Sequence, residues 1–142
     1  RTVTYSYDFV KDIANGDQRY HLLEGYMYPD TYEFYKNSTP REAIERMLDN
    51  FAYRFDEEML AQLETLNSKV TDGSYGVREI VIIASLIEKE TDGTDHSNIA
   101  SVIYNRLENV GETAHLLQID AALLYALPGH EGAITNEDKA VD

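Results

Sequence analysis

Residues 77–91 read VREIVIIASLIEKET, the most apolar run of the chain, and the run carries two glutamates at its far end. Val77, Ile80, Val81, Ile83, Ala84 and Ile87 recur at helical spacing, and Ile82 and Leu86 extend the apolar surface over most of the circumference. A helix hydrophobic nearly all round is expected to be central and buried. At about 100° per residue, Arg78, Ser85 and Lys89 share the one polar stripe, and Glu88 and Glu90 flank the apolar face. Asp92-Gly93 supplies a stop, with Gly93 suited to a left-handed position after the helix.

Carboxylates at a helix C-terminus face the negative end of the dipole, which opposes their ionisation. Partial burial of Glu90 against Ile83, Leu86 and Ile87 would add to this and favour the protonated form, the condition for a general acid near neutrality. The same ending also reads as an ordinary solvated helix terminus, and on the pattern alone that is the commoner case.

Outward from this helix, 142 residues are enough for one domain with a real core, and a 43% hydrophobic share is that of a globular chain. Lys+Arg 12 against Asp+Glu 26 leaves a net charge of −14. Nucleic acid and anionic membrane surfaces would be repelled, so neither is an expected partner. With no cysteine there is neither a disulfide framework nor thiolate chemistry. The longest apolar run, 80–87, falls far short of the roughly 20 residues that span a bilayer. A chain that starts at Arg1, without an initiator Met or a signal peptide, reads as an excised piece of a longer protein: a single partial domain over 1–142.

Arg1–Tyr7 alternates as a short strand, Asp8–Asn15 has room for one helical turn, and Gly16-Asp17 breaks it. The segment 21–35, HLLEGYMYPDTYEFY, is dense in aromatics, and Pro29 forbids a continuous helix there. Tyrosines gathered in this way form a packed face with polar tips, or in a cleft a sugar-stacking wall; composition favours the packed face. Thr39, Pro40 and Glu42 spell a capping box, and Ile44, Met47, Leu48, Phe51 and Phe55 then form one stripe. A second helix over Glu57–Asn67 should turn Met59, Leu60, Leu63 and Leu66 inward, and Ser68–Gly76 reads as a loop. Asp95 or Ser97 should cap a helix over Asn98–Val110 with Ile99, Val102, Ile103 and Leu107 inward; Gly111 ends it. Glu112–Gln118 is extended or looped, and Asp120 should cap a short helix over Ala121–Leu127. The expected fold is mainly α, with minor β near the start.

No HExxH, Walker or dinucleotide motif occurs, the four histidines are scattered, and Ser85 lacks a nucleophile elbow. No metal or cofactor is therefore expected. The remaining inventory of carboxylates, hydroxyls and aromatic rings suits glycosidic chemistry or simple carbohydrate binding.

Four stretches in order, LEGYMYPDTYEF at 23–34, ASLIEKET at 84–91, IASVIYNRL at 99–107 and LQIDAALLYAL at 117–127, resemble the endolytic murein transglycosylase (YceG-like) family. In the last, Ala121 and Ala122 stand where the family pattern has proline and threonine. The resemblance implies a helical, lysozyme-like catalytic core. It also implies cleavage of the β-1,4 bond between N-acetylmuramic acid and N-acetylglucosamine in peptidoglycan, leaving 1,6-anhydro ends. Such enzymes sit on the outer face of the bacterial cytoplasmic membrane, held by an N-terminal helix, and are linked to the elongation and division synthases. Neither that helix, the LysM-like region nor the family's C-terminal GLPPGPI-type stretch occurs in this sequence, which puts the activity of the isolated chain in doubt.

On this resemblance Glu90, followed by Thr91, is the acid/base, with Glu88 as alternative or support. Glu24, Tyr28, Asp30, Asn105, Arg106, Gln118 and Asp120 match family positions as substrate-binding candidates, Gln118 and Asp120 foremost. Asn105 and Arg106 read equally as a polar network at a helix end. The alternative for the whole chain is a glycan-binding or scaffolding module of the wall-synthesis machinery without chemistry of its own, and an acidic helical adaptor is a third.

Overall fold

The computed structural model describes residues 7–11, 22–70, 73–108, 116–127, 134–135 and 139. Six helices are found among them: α1 (Asp8–Lys11), α2 (Pro40–Arg54), α3 (Glu57–Asn67), α4 (Val77–Glu90), α5 (His96–Glu108) and α6 (Asp120–Ala126). The chain is mainly helical, as expected, and no strand occurs among the described residues. The short strand expected over Arg1–Tyr7 lies, apart from Tyr7, outside them. Two compact units divide the chain, one of 1–69 with 74–81 and one of 70–73 with 82–142, so the boundary falls within α4.

The first unit is built on α2. Thr39 Oγ1 accepts the Glu42 N–H at 3.2 Å, and the Glu42 carboxylate accepts the Thr39 N–H at 2.7 Å. This capping box, with Pro40 in the first turn, is worth about 1 kcal/mol to the helix start. Leu48 and Phe51 project from α2 into a core shared with Tyr26. The Tyr26 and Phe51 rings meet edge to face at 5.4 Å, and Phe9 of α1 packs on Phe51 at 4.9 Å. The turn that delivers Tyr26 needs Gly25: its φ is +86°, and a Cβ there would lie 2.5 Å from Val81 Cγ1. Tyr26 thus belongs to the core, whereas Tyr35 and Tyr53 are exposed.

Asp56 caps α3, its side chain accepting the Met59 N–H at 3.1 Å. The expectation that α3 buries a full stripe is corrected, since Met59 and Leu60 are 42% and 44% exposed and no α3 residue is buried. Periodicity marks an amphipathic face; what covers that face is set by distant parts of the chain. The loop to α4 is stapled by Asn67, whose amide donates to the Tyr75 carbonyl at 2.8 Å and accepts the Tyr75 N–H at 2.7 Å. Glu79 then takes the Gly76 N–H at 2.8 Å, satisfying a donor at the start of α4.

In the second unit the α4 residues are less enclosed than an all-round apolar pattern predicts. Ile83 and Leu86 are buried, whereas Ile82 is 39% exposed. The helix ends after Glu90, Thr91 N–H reaches Ile87 C=O at 2.9 Å, and Gly93 takes φ +100°. α5 begins at His96, two residues earlier than expected, because the Asp95 carbonyl already accepts the Asn98 and Ile99 N–H groups. Ile103 is buried as expected, but Val102 is 48% exposed, which corrects its inward assignment. Asp120 is likewise not the cap of α6. Ile119 holds that position without a side-chain bond, and Asp120 is the first helical residue. Ala121 permits this, whereas a proline at 121 would push residue 120 to extended dihedrals and make it the cap.

Candidate active site

α4 carries the candidate acids to its end. Glu88 and Glu90 are both exposed in the last turn, so the partial burial expected of Glu90 is not found. Glu90 makes no ion pair among the described residues. The chain leaves the helix through a knitted turn: Thr91 Oγ1 donates to Asp95 Oδ1 at 2.6 Å and accepts the Gly93 N–H at 2.9 Å. Asp92 Oδ1 accepts the Thr94 hydroxyl at 2.7 Å and the Thr94 N–H at 3.0 Å. These bonds, Thr94 foremost, with His96 adding an attractive charge, hold the Asp92 carboxyl below the usual aspartate range. The Thr91 proton is therefore committed to Asp95 and not aimed at Glu90.

α5 and the approach to α6 hold a second group. Arg106 is half-buried, and its Nη1 donates to the Leu117 carbonyl. Gln118, the next residue, is exposed and has φ +52°, the only positive φ at a non-glycine among the described residues. That left-handed backbone costs an ordinary residue about 1–2 kcal/mol, and a charge-assisted hydrogen bond of about 1.5–3 kcal/mol is large enough to offset it. Asp120 is exposed in the first turn of α6, where its charge faces the positive end of the helix. Asn105 is exposed on α5, and beside it burial pushes the Tyr104 hydroxyl pKa up.

The other candidates belong to the first unit. Glu24 is exposed in the turn before Tyr26. Tyr28 is half-buried, with the Arg54 guanidinium 4.7 Å from its ring centroid and its carbonyl accepting from the Tyr32 hydroxyl. Asp30 accepts the Thr31 N–H at 2.8 Å, the Asn50 amide at 3.1 Å and the Arg54 guanidinium at 3.0 Å. The Thr31 N–H first, then Asn50 and Arg54, hold its carboxyl below the usual range. Tyr28 and Asp30 thus tie the chain on both sides of Pro29 to the last turns of α2, and Arg54 covers one face of the Tyr28 ring.

The sequence model of the YceG-like family matches residues 3–142, nearly the whole chain. The chain belongs to the YceG-like family. It is 33% identical over 123 residues to the endolytic murein transglycosylase of Bacillus subtilis strain 168, an alignment covering 86% of this chain and 31% of that protein. It is 36% identical over 115 residues to the endolytic murein transglycosylase of Streptococcus pneumoniae D39, covering 80% of this chain and 18% of that protein. The chain thus spans between about a fifth and a third of these relatives' length. No solved structure matches it.

In this YceG-like chain the candidates Glu88, Glu90, Asn105, Arg106, Gln118 and Asp120 fall in one compact unit, and Glu24, Tyr28 and Asp30 in the other. Sequence reasoning missed Asn50 and Arg54, which bond to Asp30, and read Asp95 as a helix cap without its bond to Thr91. Asp95 had a signal, lying four residues after Thr91 across a glycine turn. Asn50 and Arg54 had none beyond their common helical face, because their partner is 20 or more residues away. Among the described residues no group of His, Asp and Glu is arranged to hold a metal ion.

Proposed function

We propose that this chain carries the catalytic carboxyl of a peptidoglycan lytic transglycosylase, with Glu90 as its single acid/base. Protonated Glu90 gives its proton to the glycosidic oxygen as the bond from muramyl C1 breaks, and the N-acetylglucosamine side leaves as an alcohol. The resulting carboxylate then takes the proton of the muramyl 6-hydroxyl, whose oxygen closes on C1. The products are a free 4-hydroxyl and a 1,6-anhydro ring, and Glu90 is protonated again. No water is consumed, so a second carboxylate to activate one is not needed.

The observation that carries this reading is family membership across residues 3–142, with relatives named endolytic murein transglycosylase aligned over most of the chain. The exposure of Glu90 at the end of α4 is consistent with a polymeric substrate, which must reach the acid from outside. The substrate is then the glycan strand of peptidoglycan, and the setting is the outer face of the cytoplasmic membrane. No helix among the described residues is long and apolar enough to cross a membrane. Attachment through a separate N-terminal helix, and a partnership with wall synthases, belong to the same proposal.

The test is the chemistry of the new chain ends. Purified peptidoglycan digested by the protein as its own cell makes it should yield anhydro-muramyl ends by mass spectrometry. Reducing ends would mean that water attacks C1 and the single-carboxyl mechanism is wrong. Glycan binding without cleavage would favour the non-catalytic module.

A further inference from the structure

We propose that Arg106 is a positioning residue: through the Leu117 carbonyl it holds Gln118 in a left-handed conformation that presents the Gln118 amide to the glycan. The inference rests on the lytic transglycosylase reading and adds to it a device for orienting substrate.

The peptide group joining Leu117 to Gln118 is a rigid plane. The direction of its carbonyl and the φ of Gln118 both follow from how that plane is turned. Arg106 Nη1 donates to this carbonyl, and the φ beside it is +52°. Glycine adopts such a backbone freely and asparagine tolerably; glutamine does so only where its surroundings over-determine it. Here they do so from both sides. Arg106 grips the carbonyl before Gln118, and Ile119 after it is buried and holds the cap position of α6. Were this only a tight turn, glycine would serve without strain. The position instead carries an exposed side chain with both a donor and an acceptor, the pair that a sugar hydroxyl or acetamido group requires. A substrate-facing group is useful in proportion to how firmly its support is fixed, and a guanidinium supplies that support from a neighbouring helix.

The experiment is a double-mutant cycle in the protein as its cell makes it, reading the initial rate of anhydro-end formation and, in a Glu90→Gln background, the affinity for a soluble peptidoglycan glycan fragment. The variants are Arg106→Gln, Gln118→Ala and the two combined, with Gln118→Gly and Arg106→Lys as controls. Each single change should lower both readouts by on the order of ten- to a hundredfold, and the combination should be no worse than the poorer single. Gln118→Gly should melt higher than Gln118→Ala yet remain as impaired, and Arg106→Lys should recover part of the loss. Should Arg106→Gln fail to fold, Arg106→Lys takes its place in the cycle. Effects that multiply in the double variant would make Arg106 a separate, structural residue and overturn the proposal. Wild-type readouts from Gln118→Ala or Gln118→Gly would overturn it as well. A wild type that binds glycan without producing anhydro ends would sink the transglycosylase reading, and the affinity cycle would still decide the role of Arg106.

Discussion

At Gly25 the fold admits a hydrogen and nothing larger, since the backbone is left-handed and Val81 Cγ1 occupies the space of a Cβ. Gly25→Ala should cost about 2 kcal/mol or more, combining left-handed strain with overpacking; a melting temperature unchanged from wild type would contradict this contact. Asp30 makes a prediction about pH. Its carboxyl is held below the usual range by Thr31, Asn50 and Arg54, so its contribution is fully present above the unfolded-state value. That contribution is lost as pH falls through the lowered folded value. Asp30→Asn should therefore be less stable than wild type near neutrality, with the gap closing below about pH 4; a gap that stays constant into acid would rule out the charged network. Asp30 was legible as a candidate within LEGYMYPDTYEF but its partners were not, and nothing in the sequence marked Gly25. Val81, Asn50 and Arg54 are distant along the chain, and nothing local names them.

Helix starts and helix coverage differ in how far they can be read. The start of α2 is legible because all its causes lie within four residues: Thr39, Pro40 and Glu42. The coverage of α3 is not, because Met59 and Leu60 have the right spacing and yet stay exposed. α6 sits between these cases. Its apolar residues and aspartate identify a short helix, but with alanine and not proline at 121 the helix starts at Asp120. Ala121→Pro should return Asp120 to the cap position at no cost in hydrogen bonds, since the N–H at 121 has no acceptor inside the helix. Thermal unfolding should show a gain of up to about 1 kcal/mol; a loss of more than about 1 kcal/mol would mean that Asp120 must be helical.

On the scale of the molecule, two compact units divide the candidate residues between them, with the boundary inside α4, the helix that ends in Glu90. The net charge of −14 disfavours nucleic acid as a partner, and a chain with no cysteine has no thiolate chemistry of its own. Helical spacing alone could not tell a catalytic glutamate from a solvated one at the end of α4, because spacing does not fix how far a carboxylate on a terminal turn is buried. Family membership over residues 3–142 is what gives Glu90 its proposed role. The most direct test compares wild type with Glu90→Gln on purified peptidoglycan. Glutamine keeps the size and polarity of the side chain but can neither give nor take the proton. Anhydro-muramyl ends should form with the wild type and fall by at least about two orders of magnitude in Glu90→Gln, with folding unchanged by circular dichroism. Anhydro ends produced at the wild-type rate by Glu90→Gln would show that the acid is another group, Glu88 first among them.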